Sequence, residues 1–301
     1  MNMNKIASLL LFGAALWTTV ASSPQARAAD KKLVLMIAGR PSHGPGEHEH
    51  NAGVLLLKRC LDFNAPQVDV KAYLNDAWPS AADLAKADTI LIYADGGPGH
   101  PALEGDHLQQ LAAQMKRGCG FVCLHYAVEV PITPGGPEFL QWLGGYFEPD
   151  WSVNPVWTAN YQTLPKHPIT NGVQPFSTTD EWYFHMRFKA GMQGVTPILT
   201  DVPPATTMSR ANGPHEGNAT VRAEVAAKTP QHTAWAVERP DGGRGFGFTG
   251  GHFHKNWGID DQRKLVLNAI LWTAKAEVPA KGVESKVTPE ELAANLAPKG
   301  K

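Results

Sequence analysis

The sequence predicts an α/β domain, a parallel sheet with helices on both faces. Three observations carry that reading. Short apolar runs alternate with amphipathic stretches of helical period from Lys32 to His125. Most of the apolar runs are followed by loops rich in glycine, proline or histidine. The 301 residues are 43% hydrophobic and 18% charged, an ordinary globular composition for one substantial core. Strand and helix in alternation build parallel sheet, because each crossover must run back over a face before the next strand begins.

The elements follow in order. Lys32 to Ala38 (KLVLMIA) is apolar, ends at Gly39, and reads as a buried strand. Glu47 to Leu61 carries Leu55, Leu56, Cys60 and Leu61 at helical spacing. Val68 to Tyr73 alternates as a strand does. Ser80 to Ala87 is a short helix opened by a capping serine. Thr89 to Tyr93 is a third strand, Leu103 to Arg117 an amphipathic helix stopped by Gly118, and Gly120 to His125 a fourth strand. Residues 131–242 are less regular and proline-rich. Glu138 to Phe147 looks helical; Trp157 to Leu164, Val195 to Asp201 and Thr233 to Glu238 look like strands. Gly245 to Thr249 is a further strand, and Asp260 to Ala274 a strongly periodic closing helix. From Pro279 a surface tail is expected, with a weak helix near Thr288 to Leu296.

Residues 1–28 read as a cleaved signal peptide. Lys5 precedes an apolar run, Ile6 to Val20, too short to span a membrane comfortably, and Ala26-Arg27-Ala28 is a small-x-small cleavage site. A periplasmic or secreted protein with no membrane span in the mature chain is therefore expected. Removing the leader takes away Lys5 and Arg27 and no acid, so the 27 basic residues fall by two against 28 acidic ones. No basic stripe exists, which argues against nucleic acid as a partner. Export would permit disulfides, but Cys60, Cys119 and Cys123 are odd in number, and Cys60 and Cys123 sit in an apparent helix and strand. Buried thiols are the expectation.

The histidines group by position. His43, His48 and His50 follow the first strand, His100 the third, His125 ends the fourth, and His252 and His254 follow the strand at 245–249. Parallel sheets bind ligands beyond the carboxyl ends of their strands, so these loops should meet along one edge. His185, Asp180 and Glu181, from DEWYFH, are the groups expected to join from the irregular region. His50, His100, His107, His167, His215 and His232 read as ordinary satisfied or loop histidines. A strand entering a tight turn exposes one apex residue, and backbone crowding wants small residues two places to either side. Around Cys123 those places hold Phe121 and His125; around His125 they hold Cys123 and Ala127. His125 fits the apex and Cys123 does not, which counts against thiol chemistry.

The segments KLVLMIAGRPSHGPGEHEHNAG, TILIYADGG, GCGFVCLHYAVE, TTDEWYFHMRF and GRGFGFTGGHFHKNW together resemble the ThuA-like, or trehalose-utilisation, family of the class I glutamine amidotransferase-like superfamily. The resemblance spans about residues 32–274, within a domain bounded at 29–278 ahead of the 279–301 tail. It implies a flavodoxin-like sheet in which the amidotransferase cysteine is replaced by the apex histidine, and a link to sugars oxidised at carbon 3.

A 3-keto-glycoside is labile because its ketone acidifies the proton at carbon 2. A base and a means of steadying the enediolate suffice for elimination, with hydrolysis if water adds back. Histidine suits the base, and a divalent metal the second task. The expected catalytic groups are His125, Glu181, His185 and Asp180. The expected metal ligands are His43, His48, His252, His254 and Glu47, a set that suits zinc, nickel or iron. His252 and His254 would share a face if their segment is extended. A paired-carboxylate glycosidase would fall to Asp180 and Glu181. The other reading is a non-catalytic carbohydrate-binding module, with Trp151, Trp157, Trp182, Tyr183 and Trp257 stacking on sugar rings where they do not merely fill the core. Trp182, Tyr183, Trp257 and Arg40 are the expected contacts to a small carbohydrate.

Overall fold

The computed structural model describes residues 31–299; the expected leader lies outside them. In chain order the elements are β1 (Lys32–Ala38), α1 (His50–Asn64), β2 (Val68–Tyr73), α2 (Ala81–Lys86), β3 (Thr89–Tyr93), α3 (His107–Lys116), β4 (Gly120–Leu124), α4 (Gly136–Trp142), β5 (Gly145–Tyr146), β6 (Val156–Tyr161), β7 (Phe176–Glu181), β8 (Arg187–Phe188), β9 (Val195–Asp201), α5 (Ala219–Ala226), β10 (Gln231–Glu238), β11 (Arg244–Phe248), α6 (Asp260–Thr273) and α7 (Pro289–Ala293).

The main sheet has seven strands in the order β2-β1-β3-β4-β11-β10-β9. The first five are mutually parallel, as alternation demanded. β10 runs antiparallel to both its neighbours, so the sheet is mixed at one edge. Successive residues of β1 feed opposite layers. Val34, Met36 and Ala38 pack with Val54 and Leu57 of α1 and Leu265 of α6. Leu35 and Ile37 pack with Leu84 of α2 and Leu111 and Met115 of α3. Side chains of a strand alternate between faces, and burial on both explains the unbroken apolar runs. All three cysteines are free and buried.

The departures from expectation are mostly at helix ends, and glycines explain several. Gly46 and His48 have positive φ (80° and 44°), so the helix expected from Glu47 starts at His50 and leaves Glu47 and His48 in the loop. The helix expected from Leu103 starts at His107, after a single 3-10 turn at Pro101–Leu103 and a left-handed Gly105. α4 stops at Trp142 because Gly144, with φ 84°, turns the chain into β5. β7 has no counterpart among the expected strands. Its buried face is Phe176, Thr178 and Asp180, too polar to show apolar alternation. The expected surface tail packs back: Val283 is buried, Arg59 pairs with Glu291, and Lys299 pairs with Glu49. No helix among the described residues is long and apolar enough to cross a membrane.

Candidate metal centre and its cleft

The strand order reverses between β1 and β3, which opens a crevice beyond their carboxyl ends. Three imidazoles meet beside it, from the loops after β1, β4 and β11.

His48 has φ 44°, and its Nδ1 lies 2.6 Å from Asp95 Oδ1 and 3.1 Å from Ser42 Oγ. A carboxylate only accepts, so the ring proton sits on Nδ1 and Nε2 carries a lone pair. His125 follows β4 with φ 55° and is fully buried. Such a φ is uncommon in a residue with a Cβ and costs free energy that packing must offset. Its Nδ1 donates to the Thr249 carbonyl at 2.8 Å, which again leaves Nε2 bare. His252 is delivered by the turn after β11, where Asp180 accepts from the backbone N–H of Gly251 at 2.8 Å and of His252 at 3.1 Å. Gly251 has φ 108° and comes close to Tyr93 and Trp257, so a side chain there would be strained.

The bare nitrogens converge. His48 Nε2 is 3.0 Å from His125 Nε2 and 3.0 Å from His252 Nδ1. Glu181 Oε2 lies 3.3 Å from His252 Nδ1 and 3.6 Å from His125 Nε2. Burial holds His48 down to about 4, against the opposing Asp95 hydrogen bond. Burial, with the neighbouring His48 and His252, pushes His125 well below the imidazole range. For His252 burial opposes charge, but Glu181, Asp180 and Glu47 outweigh it and raise the ring.

Protons alone do not satisfy this arrangement. The Tyr183 hydroxyl reaches His125 Nε2 at 3.2 Å, and a protonated His252 could donate to His48. The His48–His125 contact still joins two lone pairs. A divalent ion fits the donor set. Adjacent ligands on one first-row ion, with bonds of about 2.0–2.2 Å, stand about 3.0–3.6 Å apart. His48, His125, His252 and Glu181 all place a ligand atom within 4.8 Å of one another. The Nδ1–Asp95 and Nδ1–carbonyl bonds supply the outer support that ligating histidines require.

The cluster opens on a cavity of about 260 Å³ lined by His48, Tyr126, Glu181 and Tyr183 together with Arg210, His215 and Glu216. Larger hollows exist, such as one of about 580 Å³ beside Arg59 and Lys264, but none gathers such donors among the described residues.

Other expected site residues fall elsewhere. His43 stacks on His48 with ring centroids 3.6 Å apart and groups with Asp95 instead of entering the cluster. Glu47 Oε1 stands 3.7 Å behind His252 Nε2. His254 turns away because a 3-10 turn begins there, which breaks the extended geometry that would have aligned it with His252; its Nε2 donates to Leu292 O at 2.9 Å. His185 stacks on Trp151, donates from Nδ1 to the Trp151 carbonyl at 2.8 Å, and has Glu224 at 3.5 Å. Asp180 is fully buried with its carboxylate taken up by backbone N–H groups and Asn256, so it shapes the His252 turn and does not face the cavity. Trp182 and Trp257 are fully buried core residues, not a stacking platform. Arg40 is exposed and pairs with Asp76 at 3.0 Å. His125 is fully buried with its bare Nε2 inside the cluster, and it does not line the cavity.

The family model described as trehalose utilisation, ThuA, matches residues 34–273. The chain belongs to the ThuA family. Solved structures share the ThuA fold. A ThuA-like protein from Bacteroides uniformis is 14% identical, with a TM-score of 0.58 over 84% of this chain and 95% of that one. Another from Parabacteroides merdae is 16% identical, with a TM-score of 0.53 over 83% and 94%. No curated protein matches the chain.

Sequence reasoning missed Asp95, which holds His48, and Glu129, whose carboxylate lies 3.0 Å from His215 Nε2, and it read His215 as an ordinary histidine. Asp95 lies just past β3, where the strand-end rule already pointed. Glu129 lies in the same segment as His125. His215 stands in the irregular region and had no signal.

Proposed function

We propose that this ThuA protein is exported and opens the glycosidic bond of a 3-keto-glycoside by metal-assisted elimination, with water adding back. The observation that carries the reading is the 3.0 Å contact of His48 Nε2 with His125 Nε2, both Nδ1 protons being committed elsewhere. His48, His125 and His252 would hold a divalent ion, zinc, nickel or iron by their donor type. The ion, when bound, supplies positive charge against the enediolate that forms as the proton at carbon 2 leaves.

The chain's own groups supply the rest. Glu181, the acid of the cluster, is assigned to the base and not to the ligand set: it stands where cluster meets cavity, and its carboxylate takes the carbon 2 proton. The Tyr183 hydroxyl, kept protonated by burial, is a donor beside it. A cavity of about 260 Å³ is smaller than drug-sized pockets and suits one sugar ring. The burial of Trp182 and Trp257 weighs against the binding-module reading, which needs exposed rings.

Two measurements test the proposal. Metal analysis of purified protein should find about one divalent ion per chain. Turnover of a 3-keto-glucoside in deuterated water should place deuterium at carbon 2 of the released sugar, beyond the exchange in an enzyme-free control. Cleavage of unmodified glucosides at an equal rate overturns the mechanism.

A further inference from the structure

We propose that His215 is the acid that protonates the departing glycosidic oxygen, with Glu129 as its positioning residue, in the cavity it shares with His48 and Glu181. The inference rests on the elimination reading.

His215 is held with more restraint than a loop histidine needs. Its φ is 66°, a strained conformation for a side-chain-bearing residue. Its backbone N–H donates to Pro149, and its carbonyl accepts from Asn154 at 3.1 Å and from Arg210 at 3.0 Å. Its ring stacks on Phe147, centroids 5.2 Å apart and 21° from parallel. Nε2 lies 3.0 Å from both oxygens of Glu129. With Nε2 committed, Nδ1 is the nitrogen left for a ligand.

Glu129 explains why this is more than a tie between loops. Its carboxylate is 2% exposed, whereas the His215 side chain is 31% exposed and lines the cavity shared with Glu181 and Tyr183. Burying an acid behind an imidazole costs free energy, and a surface tie has no need of it. A buried carboxylate that fixes one ring nitrogen while the other meets the substrate is the arrangement that orients acid–base histidines on unrelated folds. Glu129 follows the single turn that begins at His125, so one stretch of backbone sets both walls.

The charge state agrees. The Glu129 hydrogen bond raises His215, outweighing burial; Glu181 adds to this and Arg210 opposes it.

The step balances. Glu181 takes the carbon 2 proton. The bond from carbon 1 to oxygen breaks, its electron pair stays on oxygen, and that oxygen takes the Nδ1 proton of His215. The sugar is left with its 3-ketone and a double bond between carbons 1 and 2. Water then adds: hydroxide to carbon 1, the proton on Glu181 to carbon 2, and the remaining proton to His215. One water is consumed and both residues are restored.

The test compares two 3-keto-glucosides, one releasing 4-nitrophenol and one releasing methanol. 4-Nitrophenolate leaves without a proton; methoxide does not. In His215→Ala, kcat for the methyl glycoside should fall by about 100-fold or more, and for the nitrophenyl glycoside by less than about fivefold, at unchanged metal content. Glu129→Gln should move the alkaline limb of the methyl glycoside's pH–rate profile to lower pH, because the hydrogen bond that raises His215 is weakened. Equal losses on both substrates, or loss of metal from the His215 variant, overturn the acid role while the elimination reading stands. A wild-type protein that turns over neither substrate overturns both.

Discussion

The two walls of the cleft are built differently. His48, His125 and His252 come from the loops after three strands of one sheet and are buried, and the His48 N–H is tied to the His252 carbonyl at 3.1 Å. His215 and Arg210 hang on the irregular stretch between β9 and β10 and are partly exposed. If the sheet-borne wall holds an ion as proposed, its rigidity matters, since ligands displaced by a fraction of an ångström would lose it. The loop-borne wall can vary without unfolding the domain, which suits a group that meets the leaving part of a substrate.

Removing a ligand from the sheet-borne wall should have the largest effect. His48→Ala, His125→Ala and His252→Ala should each lose most bound metal and reduce turnover of 3-keto-glycosides by about a hundredfold to ten-thousandfold. His185→Ala and His254→Ala should keep the metal. Metal content after dialysis separates the two sets. A stoichiometric ion in His48→Ala would break the contrast between the walls.

Asp180 asks how far that wall extends behind its ligands. Its carboxylate accepts from Gly251, His252 and Asn256, and so holds the turn that delivers His252. Asp180→Ala should weaken metal affinity by about 10–100-fold, as losses of outer support do, without removing a ligand. Competition with a chromophoric chelator reads this directly. An affinity within twofold of wild type would show that His252 is placed by β11 alone.

The difference between the walls also governs what was legible beforehand. Runs such as KLVLMIA and TILIY must be buried on both faces, so their strands and the loops after them could be read from composition and spacing. The strand-end rule then gathered His48, His125 and His252. It failed where local backbone intervened: His254 looked equivalent to His252 until a 3-10 turn rotated it away. Trp182 and Trp257 could not be assigned to core or surface because an aromatic residue suits either. His215 and Glu129 are 86 residues apart, and only the packing of an irregular segment joins them.

Outside the cleft, a buried histidine ties stability to pH. His100 follows β3 but is fully buried, donating to the Ala127 carbonyl and accepting from the Ala102 N–H. Burial holds it down to about 4, from an unfolded value near 6.5. The unfolded chain therefore binds a proton below about pH 6.5 that the folded chain refuses until about pH 4. The stability due to the neutral ring is present above that window and lost as pH falls through it. The loss is about 3 kcal/mol at most, because each tenfold difference in proton affinity between the folded and unfolded chains is worth about 1.4 kcal/mol. His100→Gln should be less stable at pH 8 and show a flatter decline between pH 6.5 and 4. Parallel denaturant curves for the two proteins would not converge at low pH if His100 were already charged when folded.

The smallest effect is expected at Cys123, the residue that thiol chemistry would require. It lies in β4, fully buried, two residues before His125, and burial pushes its thiol well above the ordinary range. No cation among the described residues favours a thiolate there, and the reactive form of cysteine is the thiolate. Its neighbours Ile92 and Gly247 on the adjoining strands close it in from both sides. Cys123→Ala removes one sulfur from a packed layer and should cost about 1 kcal/mol of stability. Turnover should stay within about tenfold, and metal content should not change, because no ligand or hydrogen bond depends on the sulfur. Labelling with iodoacetamide should reach Cys123 only in denaturant. If the folded protein were modified at Cys123 with loss of turnover and no loss of metal, the chemistry would run through the strand instead of through the turn that follows it.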